Sequence, residues 1–237
     1  MMSHAGRQSI RIEERPIVVS PNKTVSSIWA IPDAYGSHRT AVVVAHGAGN
    51  DMSNPFLSYV HERLAERGWL SVKFNFPYKE LGRKAPDRPA VLETTWRAVL
   101  AELRGDKALA PTRLFLSGKS MGGRIASQVV AAGEECDGLI FLGYPLHPAG
   151  QPEKLRSQHL AGITAPMFFI EGSRDPLCDL ALLERELARL RTDVLVHVIE
   201  DGDHSFKLRK HSGRTEAEVW AEIVAVCDSW LREQTSQ

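Results

Sequence analysis

Apolar residues change their spacing along the chain in a way that predicts alternating strands and helices. Short runs rich in β-branched and aromatic residues are typical of strands, whereas apolar positions three or four residues apart are typical of helices. The predicted strands are residues 9–13, 24–30, 41–44, 69–76, 113–116, 139–142, 167–170 and 194–199. The predicted helices are residues 55–67, 91–103, 120–132, 180–190 and 215–231, and residues 79–89 are predicted to form a loop.

The order of these elements indicates an α/β fold with a mostly parallel central sheet. A strand, a helix and a further strand in succession require a crossover connection, which places helices on both faces of the sheet. The first two strands have no helix between them, so we expect them to add an antiparallel edge. We predict a single α/β domain at residues 24–237, preceded by a polar segment and edge strand at residues 1–23.

Composition and charge exclude several classes of protein. Of the 237 residues, 43% are hydrophobic and 24% are charged, which suits one large core and argues against a disordered chain. The 29 basic and 29 acidic residues balance. A protein that binds nucleic acid or an anionic membrane normally carries a basic excess, so we expect neither partner.

The same composition indicates a cytoplasmic protein. No apolar run approaches the ~18 residues that a membrane helix needs, and residues 1–8 lack the apolar region of a signal peptide. Three cysteines, Cys136, Cys178 and Cys227, are too few and too dispersed for a disulfide framework or a zinc cluster. We therefore expect reduced thiols and no bound metal.

Candidate chemistry begins in the loop after the strand at 113–116. Gly118-Lys119-Ser120-Met121-Gly122 contains the pattern Gly-x-Ser-x-Gly between a predicted strand and a predicted helix. Such a tight turn holds the serine hydroxyl above the sheet, where it can act as a nucleophile. A glycine-rich turn that serves packing alone is the plainer alternative. A phosphate-binding loop is excluded, because Arg113 stands where its first glycine would be.

Two further loops supply a base and an acid. His204 follows the last predicted strand, and Asp175 follows the strand at 167–170. Taken alone, a solvated loop histidine and a helix N-cap aspartate are the plainer interpretations. Because the carboxyl ends of parallel strands meet at one edge of a sheet, we expect both side chains to converge on Ser120. Serine needs a base, and the base needs an orienting group, so the three predict a catalytic triad.

The loop after the strand at 41–44 reads His46-Gly47-Ala48-Gly49-Asn50. A tetrahedral intermediate carries negative charge that two backbone N–H groups can stabilise. We expect the Ala48 and Met121 amides to form this oxyanion hole. His46 is interpreted as a support of the loop by hydrogen bonding, not as a base.

These motifs together resemble the α/β-hydrolase superfamily over most of the chain. A closer likeness, carried by residues 46–56, 74–78 and 202–206, is to a branch of small predicted hydrolases. The resemblance implies the triad roles given above, with Gly47, Gly49, Gly118 and Gly122 supporting the elbow and the oxyanion loop. Relatives in this branch include regulatory proteins without an established reaction, so the substrate stays open.

The segment at 145–165, where many relatives insert a lid, is only about 20 residues long, so we expect no large lid domain. Short loops would then shape the substrate pocket, with Asn50, Tyr78, Tyr144 and Phe206 as candidate lining residues. Core packing is an equal alternative for Phe206. Lys119 and the charges at 83–88 would suit an anionic substrate, but solvated surface groups are the plainer interpretation.

The sequence thus predicts a serine hydrolase that cleaves an ester, thioester or amide of a small acyl substrate through an acyl-enzyme, without a cofactor. Two alternatives remain: a non-catalytic binding or regulatory module, and an acyltransferase that uses the same triad. The exposed face of the last helix is compatible with a monomer or a homodimer.

Overall fold

The computed structural model describes residues 8–37 and 39–236, which contain one eight-stranded sheet. Its strands are β1 (Ile10–Ser20), β2 (Lys23–Pro32), β3 (Thr40–Ala45), β4 (Leu70–Phe74), β5 (Arg113–Lys119), β6 (Gly138–Leu142), β7 (Met167–Gly172) and β8 (Val194–Ile199). Their order across the sheet is β1-β2-β4-β3-β5-β6-β7-β8. Strands β3 to β8 are parallel, and β2 runs antiparallel to both β1 and β4. The predicted antiparallel edge and parallel sheet are therefore confirmed.

Helices cover both faces of this sheet. They are α1 (Pro55–Ala65), α2 (Pro77–Glu80), α3 (Pro89–Gly105), α4 (Met121–Ala131), α5 (Leu180–Leu187) and α6 (Glu216–Thr235). Apolar side chains of α3, α4 and α5 pack with one face of the sheet, for example Trp96 and Ile125. Those of α1 and α6, for example Val60 and Ile223, pack with the other face. Two hydrophobic cores thus enclose the parallel strands.

The strand order reverses at β3, and this reversal places the site. From β3 the chain moves to β4 on one side and then to β5 on the other, so the loops after β3 and β5 leave in opposite directions. Ala45 at the end of β3 lies beside Gly118 near the end of β5. Such a switch point opens a crevice beyond the carboxyl ends of the two strands. The predicted serine and oxyanion loops both border this crevice.

The first strand is longer than its apolar pattern predicts. It extends to Ser20, and of its eleven residues only Ile17 is fully buried. Its polar residues are held by pairing with β2 and by Arg15, whose guanidinium binds Glu13 and Asp106 and stacks 4.3 Å above the Trp29 ring. An apolar pattern does not reveal such an edge strand in the sequence, because most of its side chains face solvent.

The predicted division between 1–23 and 24–237 falls one residue after the start of β2 at Lys23. Strands β1 and β2 pair along their length, so β1 belongs to the same sheet as the rest of the domain. Residues 1–7 of the predicted polar segment lie outside the described residues.

Two connections bear on access to the site. The predicted loop at 79–89 contains the end of α2, whose first residue is Pro77, and Pro89 opens α3. Between β6 and β7 the helical structure is a short 3-10 helix, Gln158–Gly162. No large lid is present in the described part of the chain. Within those same residues, none of the helices combines the length and apolarity that a membrane crossing requires.

The closing helix α6 begins with a capping box. The Thr215 side chain accepts a hydrogen bond from the Glu218 backbone, and the Glu218 side chain accepts one from the Thr215 backbone. This arrangement satisfies two backbone N–H groups that a helix start leaves open. Helix α6 can therefore begin in solvent and still bury Val219 and Ile223 against the sheet.

We expect Thr215→Ala to lower the free energy of unfolding by about 1 kcal/mol, because the bond that the Glu218 backbone N–H donates to this side chain is lost. Urea denaturation followed by circular dichroism measures the loss. Thr94→Ala is the matched control: Thr94 lies exposed within α3 and bonds only the Ala90 carbonyl of its own helix. An equal loss in both variants would contradict the role of the cap.

Candidate active site

A strained turn between β5 and α4 presents the Ser120 hydroxyl. Ser120 has φ 52° and ψ −118°, a conformation that costs a non-glycine residue free energy. A Cβ atom on Gly118 would lie 2.4 Å from the Gly123 nitrogen, and one on Gly122 would lie 2.6 Å from the Ala45 carbonyl oxygen. Both positions therefore require glycine, since helix α4 starts in contact with the backbone of β3 and β5.

Ser120, His204 and Asp175 form one continuous chain of hydrogen bonds. The Ser120 Oγ lies 2.8 Å from His204 Nε2, and His204 Nδ1 lies 2.6 Å from Asp175 Oδ2. With the imidazole neutral, the hydroxyl donates to Nε2 and the Nδ1–H donates to the carboxylate. The three residues come from three loops at the carboxyl edge of the sheet. This geometry lets the serine hydroxyl pass its proton to the imidazole as it attacks.

The loop after β7, which carries Asp175, and the loop after β8, which carries His204, contact each other through their backbones. They are called the acid loop and the base loop below. A Cβ atom on Gly172 would lie 2.3 Å from the Gly202 carbonyl oxygen, so the two loops touch at glycine. The Arg174 N–H donates to the same Gly202 oxygen at 2.8 Å. Asp175 is 7% exposed, and its Oδ1 accepts the Leu177 N–H at 2.7 Å, which leaves Oδ2 for the histidine. The carboxylate is thus oriented before any substrate binds.

The loop after β3 lies directly against the serine turn. A Cβ atom on Gly47 would lie 3.3 Å from the Lys119 carbonyl oxygen and 3.4 Å from Ser120 Cβ. Among residues 8–37 and 39–236, neither the Ala48 nor the Met121 backbone N–H has a hydrogen-bond acceptor. Gly49 adopts φ +76°, and the Asn50 N–H closes the loop on the Gly47 carbonyl at 3.3 Å. Within the described residues, this loop and the turn that follows Ser120 thus each offer a backbone donor without an acceptor.

His46 lies inside this loop as a neutral, fully buried ring. Its Nε2 accepts the Phe76 N–H at 3.1 Å, and its Nδ1 donates to the Gly47 carbonyl at 2.9 Å. Burial lowers the pKa of His46 to about 4, so the ring can serve as acceptor and donor at neutral pH without charge. The structure places His46 between the loops after β3 and β4, apart from the triad.

The four residues expected to line the pocket fall into two groups. Asn50 is exposed at the mouth of the crevice, whereas the side chains of Tyr78, Tyr144 and Phe206 are buried in the cores. The Tyr144 hydroxyl donates to the Arg156 carbonyl at 2.7 Å, and the Phe206 ring packs 5.4 Å from that of Phe56. Enclosed rings offer no surface to an open crevice. For these three residues the lining role is corrected to support of the surrounding loops.

Two charged residues beneath the triad escape the sequence patterns. The Lys119 ammonium, expected in solvent, is buried, and it lies 5.3 Å from the centroid of the Phe206 ring. Glu171, the penultimate residue of β7, is 0% exposed, and its Oε1 accepts the Tyr144 N–H at 2.6 Å. Burial raises the pKa of Glu171 well above its ordinary value. The one sequence signal for Glu171 is its position directly after the apolar run at 167–170.

The chain is similar in sequence to one protein family and in structure to several solved proteins. Residues 38–232 match the family described as an alpha/beta hydrolase domain. A dienelactone hydrolase from Anabaena variabilis aligns with a TM-score of 0.76 at 19% identity, covering 94% of this chain and 98% of that chain.

Two further structures extend this likeness. An esterase from Pyrococcus furiosus aligns with a TM-score of 0.73 at 17% identity, covering 94% of this chain and 91% of its own. An alpha-beta serine hydrolase homologue from Coxiella burnetii aligns with a TM-score of 0.72 at 17% identity, covering 92% of this chain and 97% of its own. At these identities the three likenesses show a shared fold.

We expect Gly122→Ala to destabilise the fold by about 3 kcal/mol, because the added methyl group would meet the Ala45 and His46 carbonyl oxygens below 3 Å. Thermal denaturation measures the loss. Gly105→Ala is the matched control, since its methyl group would meet no atom within 4 Å. If the two variants melted at the same temperature, the close approach of α4 to β3 would be wrong.

Proposed function

The chain belongs to the α/β-hydrolase family, and from this premise we propose that it is a serine hydrolase acting on carboxylic esters of small acyl compounds. The observation that carries the proposal is the hydrogen-bonded series Ser120–His204–Asp175, at 2.8 Å and 2.6 Å. A nucleophile, a base and an orienting acid in contact are what acyl transfer through a serine requires.

In the proposed first step, Ser120 Oγ attacks the ester carbonyl carbon while its proton moves to His204 Nε2. The carbonyl π bond opens and its electron pair remains on oxygen as a negative charge. Asp175 stays ionised and stabilises the imidazolium through the Nδ1–H bond. Its orientation toward the ring is maintained by the Leu177 N–H on the other carboxylate oxygen.

The backbone amides of Ala48 and Met121 are the proposed oxyanion hole. Support comes from their lack of other acceptors in the described part of the chain and from the contact between the Gly47 loop and Ser120. The Met121 amide also stands at the start of α4, where the helix dipole favours negative charge. Each such donor contributes roughly 3–4 kcal/mol to the transition state.

Collapse of the intermediate then breaks the bond to the leaving alcohol, which takes the proton from His204 Nε2. Water enters the same crevice, gives a proton to His204 and attacks the acyl-enzyme. The carboxylic acid leaves, and the proton returns to Ser120 Oγ. One ester and one water are consumed for one acid and one alcohol.

Several observations support a small ester as the substrate. The described residues contain no large lid that would enclose an apolar channel for a long acyl chain above the crevice. Two of the similar structures are named as a dienelactone hydrolase and an esterase. Thioesters and amides react through the same steps, and a graded series of substrates separates the three.

We expect Ser120→Ala to abolish labelling by a fluorophosphonate probe and to reduce hydrolysis of p-nitrophenyl acetate at least about 10³-fold, because no nucleophile remains. Gel fluorescence and absorbance measure the two effects. Ser236→Ala, at the exposed end of the chain, is the matched control and should react like the parent protein. Parent protein that stays unlabelled, or labelling that survives Ser120→Ala, would leave a binding module as the better description.

We expect Asp175→Asn to lower kcat by about 10⁴-fold with little change in KM, because the amide would favour the wrong tautomer of His204. Steady-state kinetics with a p-nitrophenyl ester measures both parameters. Asp179→Asn is a suitable control, since Asp179 caps helix α5 and bonds the Leu182 N–H. A loss below tenfold in Asp175→Asn would remove Asp175 from the triad.

A further inference from the structure

The residue immediately before the nucleophile carries a charge into the protein interior. The Lys119 Nζ is enclosed and has no hydrogen-bond partner among the described residues. Its contact of 5.3 Å with the centroid of the Phe206 ring is a cation–π interaction. Burying an ammonium without hydrogen bonds is costly, and none of the proposed reaction steps uses Lys119.

This ammonium lies next to the imidazole of His204. A Cβ atom placed on Gly143 would be 2.7 Å from Lys119 Nζ and 3.6 Å from His204 Cε1. Both distances start from the same point, so Lys119 Nζ and His204 Cε1 lie at most about 6.3 Å apart. Gly143, at φ +72°, leaves the space that both groups share.

The loops that surround the ammonium also carry the acids that act on it. Burial lowers the pKa of Lys119 to about 8, and the carboxylates of Glu171, Asp175 and Asp203 oppose this change. They come from β7, from the acid loop and from the base loop. These acidic groups favour the charged ammonium over the neutral amine.

The Phe206 ring holds the Lys119 ammonium close to the base loop. Its φ of +62° is strained for a bulky residue, and its side chain is 0% exposed. The strained turn places the ring over the ammonium two residues after His204. The base and the lysine are thus connected through one short loop.

We propose that Lys119 is a positioning residue for His204 whose buried positive charge opposes protonation of the imidazole and keeps the base available at lower pH. Lys119 does not touch the reacting atoms; it acts through the electric field at the ring. Asp175 favours the protonated ring, and Lys119 offsets part of that effect. The expected effect of Lys119 on the rate of labelling rests on the proposed function, whereas its expected effect on the titration of His204 does not.

The expected size follows from the distance. At this upper limit of about 6 Å and an effective dielectric constant of about 20, a unit charge moves a titration midpoint by roughly two pH units. The His204 side chain is 22% exposed, so solvent screening reduces this effect to about one unit. The direction is fixed by sign: removal of the cation makes the imidazole easier to protonate.

The test is the pH dependence of fluorophosphonate labelling in the parent protein, Lys119→Met and Lys73→Met. Methionine keeps the length of the side chain and removes its charge. We expect the acid limb of Lys119→Met to move up by about one pH unit, which makes labelling about tenfold slower well below the midpoint. At high pH labelling should recover, which a merely misplaced base would not allow.

Lys73→Met is the matched control because Lys73, on strand β4, is also buried, 4% exposed, but donates to the Ser58 hydroxyl on helix α1. Its acid limb should coincide with that of the parent protein. An acid limb in Lys119→Met that is unmoved, or moved to lower pH, would overturn the inference. If Lys119→Met fails to fold, Lys119→Met combined with Glu171→Gln is compared with Glu171→Gln alone, so that the two proteins differ only at position 119.

NMR titration of the His204 imidazole, assigned by comparison with His204→Gln, measures the same shift without any reaction. If the parent protein proves unreactive, the proposed function fails, and the NMR midpoints still decide the role of Lys119. A reactive parent with equal NMR midpoints in parent and Lys119→Met would overturn the inference alone.

Discussion

The site depends on one close approach of backbones. Helix α4 begins in contact with the carboxyl ends of β3 and β5, at distances that leave no room for a Cβ atom on Gly118 or Gly122. This approach strains Ser120 and directs its hydroxyl into the crevice. It also brings the loop of His46 against the same turn, so the proposed nucleophile and the two proposed oxyanion donors share one rigid support.

The remaining geometry follows from parallel strands that end together. The loops after β3, β5, β7 and β8 reach the same edge of the sheet, and short backbone contacts connect neighbouring loops. A hydroxyl, an imidazole and a carboxylate that are distant in sequence can therefore meet within hydrogen-bond distance. Interior packing of the aromatic residues below them makes these loops hard to displace.

Burial has different electrostatic consequences for the charged and neutral groups around this edge. His46 loses its charge because burial lowers its pKa, and its two ring nitrogens have backbone partners that a neutral ring can satisfy. Burial lowers the pKa of Lys119, and the acidic groups of Glu171, Asp175 and Asp203 oppose this change. Glu171 joins the loop after β6 to β7 through the Tyr144 N–H. The floor of the site is therefore polar, although it lies between two apolar cores.

The sequence by itself determined the order of elements, the parallel sheet and the loops in which Ser120, Asp175 and His204 stand, since these follow from local spacing and from the rule that parallel strands end at one edge. It did not reveal the full length of β1, whose polar residues depend on pairing with β2 and on Arg15. Only the tertiary structure decided that Tyr144 and Phe206 are buried, and that the Lys119 ammonium lies inside. The physical reason is that a side chain's burial is set by what folds over it from distant parts of the chain, and residue type or spacing carries no record of those neighbours.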